Sequence, residues 1–349
     1  MRKKAAIYFL ALSLLTQLAA SLHPSLAPFG RPQRTTAGTM EFTPESVQWT
    51  LSAVVPPLLM MAILLRSRPK KSPVPKFMEG QVVWITGGSS GVGAELALLA
   101  SKNGAESIIL SGRRTDALAD VKKACLEILP GRDESSISLL SFDLGDASQV
   151  KAAAAKALTL YGRVDVLANN AGISTRGAAA DTALDVDMKV METNYMSPVS
   201  LSKAVLPGML ERGSGHFLVI NSVQGMMGIP YRASYAASKH ALTGFFDSLR
   251  AEVANSGVGV TSVYPGYIRT SLSLNALTGS GAAHGVMDPT TAQGMNPADV
   301  ATKAWTAAAS GEKELILADT KIKFAIILRA VLPNLFFKIM AKRALKEAP

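Results

Sequence analysis

The chain is 349 residues long, is 48% hydrophobic and has a single cysteine, so an internal disulfide and a cysteine-based metal cluster are excluded. Its four histidines are scattered without the spacing of metal ligands, and we predict no metal site. The formal net charge is +10, but the basic residues gather beside apolar runs at both termini and over residues 66–76. This distribution favours anionic lipid headgroups over nucleic acid as the partner.

Three segments precede the first predicted strand. Residues 1–21 join a basic start to an uncharged run that ends in small residues, which is typical of a secretory signal or an uncleaved anchor. Residues 22–48 are rich in Pro, Ser and Thr and form either a linker or a transit-like segment of a plastid address. Residues 49–65 are a candidate transmembrane helix, at the short end of the required length.

The basic residues that follow this apolar run predict the orientation of the chain in a membrane. Arg66, Arg68, Lys70, Lys71 and Lys76 come directly after it. By the positive-inside rule, the rest of the chain then lies on the cytosolic side, for which the endoplasmic reticulum is the expected membrane. Import into a plastid is the alternative, and it would break this argument.

A glycine-rich turn follows the first predicted strand, Gln81–Thr86. It reads Gly87-Gly-Ser-Ser-Gly91-Val-Gly93 and leads into a helical pattern over Ala94–Asn103. Glycines let the backbone approach a pyrophosphate, and the helix N-terminus supplies free N–H groups and a positive dipole end. The turn therefore predicts a phosphate-binding loop.

The second predicted strand, Glu106–Ser111, indicates which dinucleotide binds. It ends in Gly112-Arg113-Arg114, where a site for NAD usually places an acid. Arginine suits a 2′-phosphate through its planar fork of donors, which favours NADP(H). Asp116 lies close enough to keep NAD(H) open.

Further strands alternate with helices along the rest of the chain. Strand Ile137–Phe142 leads to Asp143, where contacts to the adenine edge are expected, and strand Val164–Ala168 leads to Asn169-Asn-Ala-Gly172. The later elements are helix Tyr195–Arg212, strand His216–Asn221, helix Ala233–Asn255, strand Val258–Tyr264, a helix capped by Asn296 and strand Glu314–Leu317. This alternation predicts an α/β fold with a doubly wound parallel sheet of Rossmann type over residues 79–318. Ligands are then expected at the carboxyl ends of the strands, where Ser222 and Pro265-Gly266 fall.

Tyr235 and Lys239 lie four residues apart on the helix Ala233–Asn255, and therefore on one face of it. A neighbouring ammonium favours the phenolate and is expected to lower the phenol pKa from its reference of about 10. Such a tyrosine is a usable proton donor for a ketone that receives a hydride.

Together these motifs resemble the short-chain dehydrogenase/reductase family over residues 79–318. The motifs are Thr86-Gly-x-x-x-Gly91-x-Gly93, Asn169-Asn-Ala-Gly172, Asn194, Ser222, Tyr235-x-x-x-Lys239 and Pro265-Gly266, in the family's order and spacing. Further stretches resemble a membrane-anchored branch of that family, namely Ser222–Gly225, Phe245–Glu252, Pro265–Ile268, Gly285–Asp288, Thr291–Gly294 and Leu335–Phe337. The family often pairs through its long helices, so a homo-oligomer is possible.

The resemblance implies a role for each catalytic residue. Tyr235 is the acid in reduction and the base in oxidation, and Lys239 holds the nicotinamide ribose. Ser222 binds the substrate oxygen, and Asn194 links Lys239 to solvent through a water relay. The cofactor contacts expected are Thr86, Gly87, Ser89, Ser90, Gly91, Val92, Gly93, Arg113, Arg114, Asp143, Leu144, Asn170, Ala171, Gly172, Tyr235, Lys239, Pro265, Gly266, Ile268 and Thr270.

The C-terminal tail, residues 319–349, mixes apolar and basic residues and leaves two readings open. It forms either a helix that packs on the domain or on a second copy, or an interfacial membrane helix that admits a lipid substrate. Pro333 would kink the helix in either case.

The function expected from the sequence is a membrane-anchored, NADP(H)-dependent oxidoreductase that interconverts a ketone and a secondary alcohol on a lipid-like substrate. The segment 271–296 is expected to cover that substrate. The alternative is a nucleotide-binding scaffold that senses redox state without turnover.

Overall fold

The computed structural model describes residues 74–347. The segments 1–21, 22–48 and 49–65, with the predicted signal, linker and transmembrane helix, lie outside these residues. Among residues 74–347, no helix combines the length and the apolar character needed to cross a membrane.

Nine strands and eleven α-helices make up the described part of the chain. The strands are β1 (Val82–Thr86), β2 (Ser107–Gly112), β3 (Ile137–Ser141), β4 (Val166–Asn169), β5 (Thr175–Arg176), β6 (Gly215–Ile220), β7 (Val258–Pro265), β8 (Leu277–Thr278) and β9 (Glu314–Leu317). The helices are α1 (Val74–Met78), α2 (Gly91–Lys102), α3 (Thr115–Ile128), α4 (Ala147–Leu160), α5 (Leu184–Met191), α6 (Ser197–Arg212), α7 (Ala233–Glu252), α8 (Pro289–Ala292), α9 (Pro297–Ala309), α10 (Thr320–Val331) and α11 (Pro333–Lys346).

The seven longer strands form one parallel sheet in the order β3-β2-β1-β4-β6-β7-β9. The predicted doubly wound sheet of Rossmann type is therefore confirmed. The chain reverses its direction across the sheet between β1 and β4, and such a switch point opens a crevice at the carboxyl ends of the strands. The two short strands β5 and β8 pair in parallel with each other and form a separate two-stranded sheet.

Helices cover both faces of the sheet. Because alternate side chains of each strand point to opposite sides, each strand contributes apolar side chains to both faces. On β1, Val83 and Ile85 join a buried cluster with α2, α3 and α9, whereas Trp84 joins another with α4, α6 and α7. The residues Val-Val-Trp-Ile-Thr are all buried, as expected for a central strand of β-branched and aromatic residues.

Two predicted helices differ from the structure. The helix expected from Tyr195 begins with a π-helical turn, Glu192–Met196, and becomes regular only at Ser197. Such turns occur often at functional sites, and this one carries Asn194. The tail over Lys321–Arg343 is not one kinked helix but two, because Pro333 has no N–H to continue α10 and instead starts α11.

Candidate active site

A cavity of about 480 Å³ opens at the carboxyl ends of β1, β4, β6 and β7. It brings together most of the residues that the sequence predicted for the site, from segments far apart in the chain. The predicted residues that line it are Gly87, Ser89, Ser90, Gly91, Val92, Arg113, Arg114, Asp143, Leu144, Asn170, Ala171, Gly172, Ser222, Tyr235, Lys239, Pro265, Gly266, Ile268 and Thr270. The other three predicted residues do not line the cavity but lie next to residues that do: Thr86, Gly93 and Asn194.

The glycine-rich turn has the backbone shape that a pyrophosphate requires. Gly87 and Gly91 adopt positive φ angles of 66° and 57°, which other residues rarely tolerate. Ser90 precedes α2 without capping it by its side chain, so the N–H groups of the first turn have no acceptor within the helix. These groups face the cavity, and the helix dipole adds a positive end there.

Gly93 and Thr86 support this turn from behind. A Cβ atom on Gly93 would lie 2.2 Å from the carbonyl oxygen of Gly87, so only glycine lets α2 pack this closely. The Thr86 hydroxyl oxygen accepts hydrogen bonds from the backbone N–H of Asn170 at 3.0 Å and of Ala171 at 3.1 Å. Thr86 and Gly93 therefore support the turn, and their direct contacts with the cofactor stay a prediction.

Two arginines, Arg113 and Arg114, follow β2 beside the glycine-rich turn. Arg114 donates hydrogen bonds to the hydroxyls of Ser89 at 3.2 Å and Ser90 at 2.8 Å. The Arg113 guanidinium lies 3.9 Å from the Asp143 carboxylate and leaves 62% of its side chain exposed. A 2′-phosphate would find two guanidinium groups there, since neither arginine is enclosed by the fold.

Tyr235, Ser222 and Lys239 form the centre of the cavity. Tyr235 and Lys239 are buried on α7, and Ser222 follows the end of β6. The Lys239 ammonium lies 5.8 Å from the centre of the Tyr235 ring and donates a hydrogen bond to the carbonyl oxygen of Ile220 at 3.1 Å. Burial lowers the pKa of Lys239 to about 8.

The pKa of Tyr235 differs from the expectation. Burial raises it, while the hydrogen bond with Ser222 and the positive charges of Arg176 and Arg232 act in the opposite direction. The predicted lowering by Lys239 is wrong for this structure, because the loss of hydration outweighs the charges nearby. Tyr235 is consequently held in its protonated form.

Asn194 is fully buried and braces the site from the π-helical turn. Its side-chain oxygen accepts from the N–H of Ile173 at 2.8 Å, and its amide donates to the carbonyl of Ile173 at 2.8 Å. The same amide donates to the hydroxyl of Ser238 at 3.0 Å, one residue before Lys239. The water relay stays a prediction, but the residue does lie beside the lysine that it is expected to serve.

A charged cluster that no sequence motif predicts contributes Arg176 and Arg232 to another wall of the cavity. Arg176 on β5 donates through Nε to the carboxylate of Asp288 at 3.0 Å, and Arg232, three residues before Tyr235, lies 3.4 Å from the same carboxylate. Burial acts to raise the pKa of Asp288, but the hydrogen bonds and charges of the two arginines outweigh it and lower the pKa. More than fifty residues separate each member from the next, so no local spacing could have joined them.

The last two helices close the cavity on the same side. Ile322 of α10 and Arg343 of α11 line it, together with Leu272, Asn275 and Leu277 of the segment expected to cover the substrate. Two hydrogen bonds attach α11 to the loops of the site: the hydroxyl of Tyr231 donates to the carbonyl of Ala344 at 2.9 Å, and Arg343 donates to the hydroxyl of Tyr267 at 3.2 Å. The tail thus packs on the domain, as one of the two predicted readings requires.

Comparisons with known proteins agree with this geometry. A family model described as short chain dehydrogenase matches residues 81–279. Dehydrogenase/reductase SDR family member 7B of Bos taurus is 47% identical over 272 residues, which are 78% of this chain and 83% of that protein. Dehydrogenase/reductase SDR family protein 7-like of Drosophila melanogaster is 46% identical over 302 residues, 85% of this chain and 91% of its own. The crystal structure of a metagenomic short-chain oxidoreductase in complex with NADP superposes with a TM-score of 0.57 at 25% identity, covering 70% of this chain and 99% of that chain.

Proposed function

The chain belongs to the short-chain dehydrogenase/reductase family of oxidoreductases, and on that premise we propose that it interconverts a ketone and a secondary alcohol with NADP(H). The observation that carries this proposal is the convergence of Ser222, Tyr235 and Lys239 on one cavity with the glycine-rich turn. A proton donor, an oxygen-binding hydroxyl and a dinucleotide cradle are the parts that carbonyl reduction needs.

Each residue has one task in the reduction. When bound, the reduced nicotinamide supplies the hydride. Tyr235 donates its hydroxyl proton to the carbonyl oxygen of the substrate, for which its protonated form is required. Ser222 donates a hydrogen bond to the same oxygen while negative charge develops there. Lys239 would hold the nicotinamide ribose, and its ammonium lies 5.8 Å from the centre of the Tyr235 ring. The positive charges of Arg176 and Arg232 favour the phenolate left after proton transfer.

The arginines at the end of β2 support NADP(H) over NAD(H). Arg113 and Arg114 lie at the position where an acid would grip a ribose 2′-hydroxyl. The metagenomic relative was solved in complex with NADP, which is in keeping with this choice. NAD(H) remains the alternative cofactor, with Asp116 as the acid nearest to that position.

The setting proposed for the reaction is a membrane, and the substrate is lipid-like. Support comes from the apolar run 49–65 with its basic flank, and from apolar side chains of Met227, Ile229 and Leu272 in the cavity wall. We place the catalytic domain on the cytosolic side of the endoplasmic reticulum, with a plastid as the alternative. Pairing of two copies through the long helices, which the family implies, stays a prediction.

Tyr235→Phe tests the catalytic proposal. Removing the hydroxyl deletes the proton donor, so we expect ketone reduction to fall by about 100-fold or more while NADPH binding is kept. Tyr161→Phe is the matched control, because it removes a hydrogen-bonded tyrosine hydroxyl outside the cavity. Full activity of Tyr235→Phe would contradict the proposal, and wild-type NADPH binding without turnover of any carbonyl compound would favour the redox-sensing scaffold.

Arg113→Ala tests the choice of cofactor separately. Loss of this guanidinium removes a charged hydrogen-bond donor from the 2′-phosphate, which is worth about 1.5–3 kcal/mol. We therefore expect the preference for NADPH over NADH, measured as a ratio of dissociation constants, to fall by about tenfold or more. An unchanged ratio would show that the 2′-phosphate does not bind at Arg113.

A further inference from the structure

The two C-terminal helices differ from every other part of the described surface. Large exposed apolar side chains are spread thinly over residues 74–319 but are concentrated here, and those of the two helices and their junction are Phe324, Val331, Leu332, Leu335, Phe337, Ile339 and Leu345. Single exposed apolar residues are ordinary, whereas a concentration of them marks a contact surface.

These side chains follow from the way the helices pack. The buried side of α11 consists of Phe336, Met340 and Ala344, which lie four residues apart and contact the domain. Leu335 and Ile339 form a neighbouring row that faces solvent, and Lys342 and Lys346 continue it. On α10, Phe324 and Val331 are also exposed, although they lie on the same face as the buried Leu328, which packs on the domain between them along the helix. The fold therefore leaves one side of α11 uncovered, together with the two ends of this face of α10.

The charges of the two helices are of one sign. Between Thr320 and Lys346 there is no acidic residue, and the basic residues are Lys321, Lys323, Arg329, Lys338, Lys342, Arg343 and Lys346. The Arg329 guanidinium lies 4.9 Å from the centre of the Phe337 ring, so a cation and an exposed aromatic side chain share one surface. Exposed aromatic and aliphatic residues mixed with lysine and arginine are the composition of a helix that lies in the interface of an anionic bilayer.

From this surface we infer that the α10–α11 pair docks on an anionic lipid bilayer. A second copy of the chain is the less suitable occupant, because a two-fold interface would set the same basic surface against itself. The acids that flank the two helices are Asp319, which caps α10, and Glu347, which is already paired with Arg343 at 2.8 Å. In a bilayer the apolar rows enter the acyl region, and the long lysine side chains reach up to the lipid phosphates.

Docking also brings the cavity to the membrane. The same two helices supply Ile322 and Arg343 to the cavity wall, and Leu328 and Phe336 pack against Val223 and Met227 just after Ser222. A lipid-like substrate could then enter along α10 and α11 without crossing water. This inference extends the membrane setting of the proposed function by a second contact, separate from the apolar run 49–65.

The test uses the full chain in lipid vesicles with a single fluorescent label. Ile339→Cys and Ile128→Cys are matched variants, because the two isoleucines are 44% and 42% exposed. Ile339 lies on α11, whereas Ile128 is the last residue of α3 and lies outside the C-terminal helices. Burial raises the pKa of the native Cys125 to about 11 and hides it from solvent, so a thiol-reactive fluorophore labels only the introduced cysteine. Lipids with a quencher on the acyl chain report contact with the bilayer.

We expect the label of Ile339→Cys to be quenched in vesicles that contain phosphatidylserine, and the label of Ile128→Cys to stay bright. The further substitutions Lys338→Glu and Lys342→Glu should each lower the ratio of docked to undocked protein by about fivefold for the lost positive charge. The negative charge of each new glutamate should lower this ratio further. Equal quenching of the two labels, or quenching that ignores phosphatidylserine, would overturn the inference.

Two other outcomes separate this inference from the membrane anchoring proposed above. If the chain stays with the vesicles while the Ile339→Cys label is not quenched, the anchor holds and the docking is wrong. If that label instead changes with protein concentration in the absence of lipid, the surface binds a second copy and the docking is again wrong. If the chain does not bind vesicles at all, both are overturned.

Discussion

The end of the cavity proposed for the cofactor and the end proposed for the substrate are built in different ways. At the cofactor end, a short run of consecutive residues, Gly87 to Gly93, shapes the site by its backbone, and Thr86 braces it. At the substrate end, Arg176, Arg232 and Asp288 meet from three distant segments, and two C-terminal helices close the wall. One end depends on local backbone geometry and the other on side chains that only the fold brings together.

This difference has a consequence for substitutions. A change at the cofactor end acts through steric conflict in a small volume, where the neighbouring backbone cannot move away. A change at the substrate end acts through charge, because a buried group that loses its partner keeps the cost of its desolvation. We therefore expect substitutions at the cofactor end to change cofactor affinity, and substitutions at the substrate end to change stability and the pH profile of the reaction.

The largest effect is expected from Gly93→Ala at the cofactor end. Its Cβ would lie 2.2 Å from the carbonyl oxygen of Gly87, so the phosphate turn must shift. We expect NADPH affinity to fall by about 100-fold, measured by calorimetry. Gly244→Ala on α7 is the control, since nothing lies within 4 Å of its Cβ position. Alanine there should leave affinity unchanged, and an equal loss in both variants would mean that steric fit at Gly93 is not the cause.

Asp288→Asn tests the charged cluster at the substrate end. It removes the carboxylate that the buried Arg232 and the half-buried Arg176 share, and we expect the free energy of unfolding to fall by about 2 kcal/mol. The added net positive charge should also lower the pKa of Tyr235. Since reduction needs protonated Tyr235, the decline of the rate at high pH should begin at a lower pH than in wild type.

Asp247→Asn is the control for that variant. It breaks the pair of Asp247 with Arg250, 2.6 Å apart, on the same helix as Tyr235 but outside the cavity. We expect a change of less than about 1 kcal/mol in stability and no shift of the pH profile. A shift of the profile in this variant but not in Asp288→Asn would contradict the role given to the charged cluster.

Lys239→Met, where the two ends meet, is expected to change the free energy of unfolding in the opposite direction from Asp288→Asn. Burial lowers the pKa of Lys239 from 10.5 to about 8, so below pH 8 the folded protein carries a buried charge that disfavours it. Methionine removes that cost, and we expect the free energy of unfolding at pH 7 to rise by about 1–2 kcal/mol although activity is lost.

The sign of the pH dependence gives the check. Between about pH 8 and 10.5 the unfolded chain binds a proton that folded Lys239 has released, so wild-type stability rises with pH through this window. The advantage of Lys239→Met should thus be present below pH 8 and shrink towards pH 10.5, as followed by urea unfolding. A variant that is less stable than wild type at every pH would show that Lys239 stabilises the fold.

Much of the fold followed from local patterns. The strands of the main sheet lie within one or two residues of their predicted positions, because runs such as Val82–Thr86 are apolar, β-branched and bounded by glycine. The sequence pattern also predicts that Tyr235 and Lys239 share a helix face and that Ser222 follows a strand, and the structure brings all three to one cavity. The prediction of a single kinked helix in the tail is wrong, because α10 ends before Pro333 and this residue starts α11.

The parallel sheet, the phosphate turn and the tyrosine–lysine pair are predictable without the structure, because each depends on residues that are close in the chain and on a period of two or 3.6 residues. Other properties arise only in the packed chain. Packing places Arg176 and Arg232 around the carboxylate of Asp288, sets Thr86 and Gly93 behind the glycine-rich turn, and raises the pKa of Tyr235 by burying it. These properties depend on desolvation and on distances between remote segments, which only the packed chain defines.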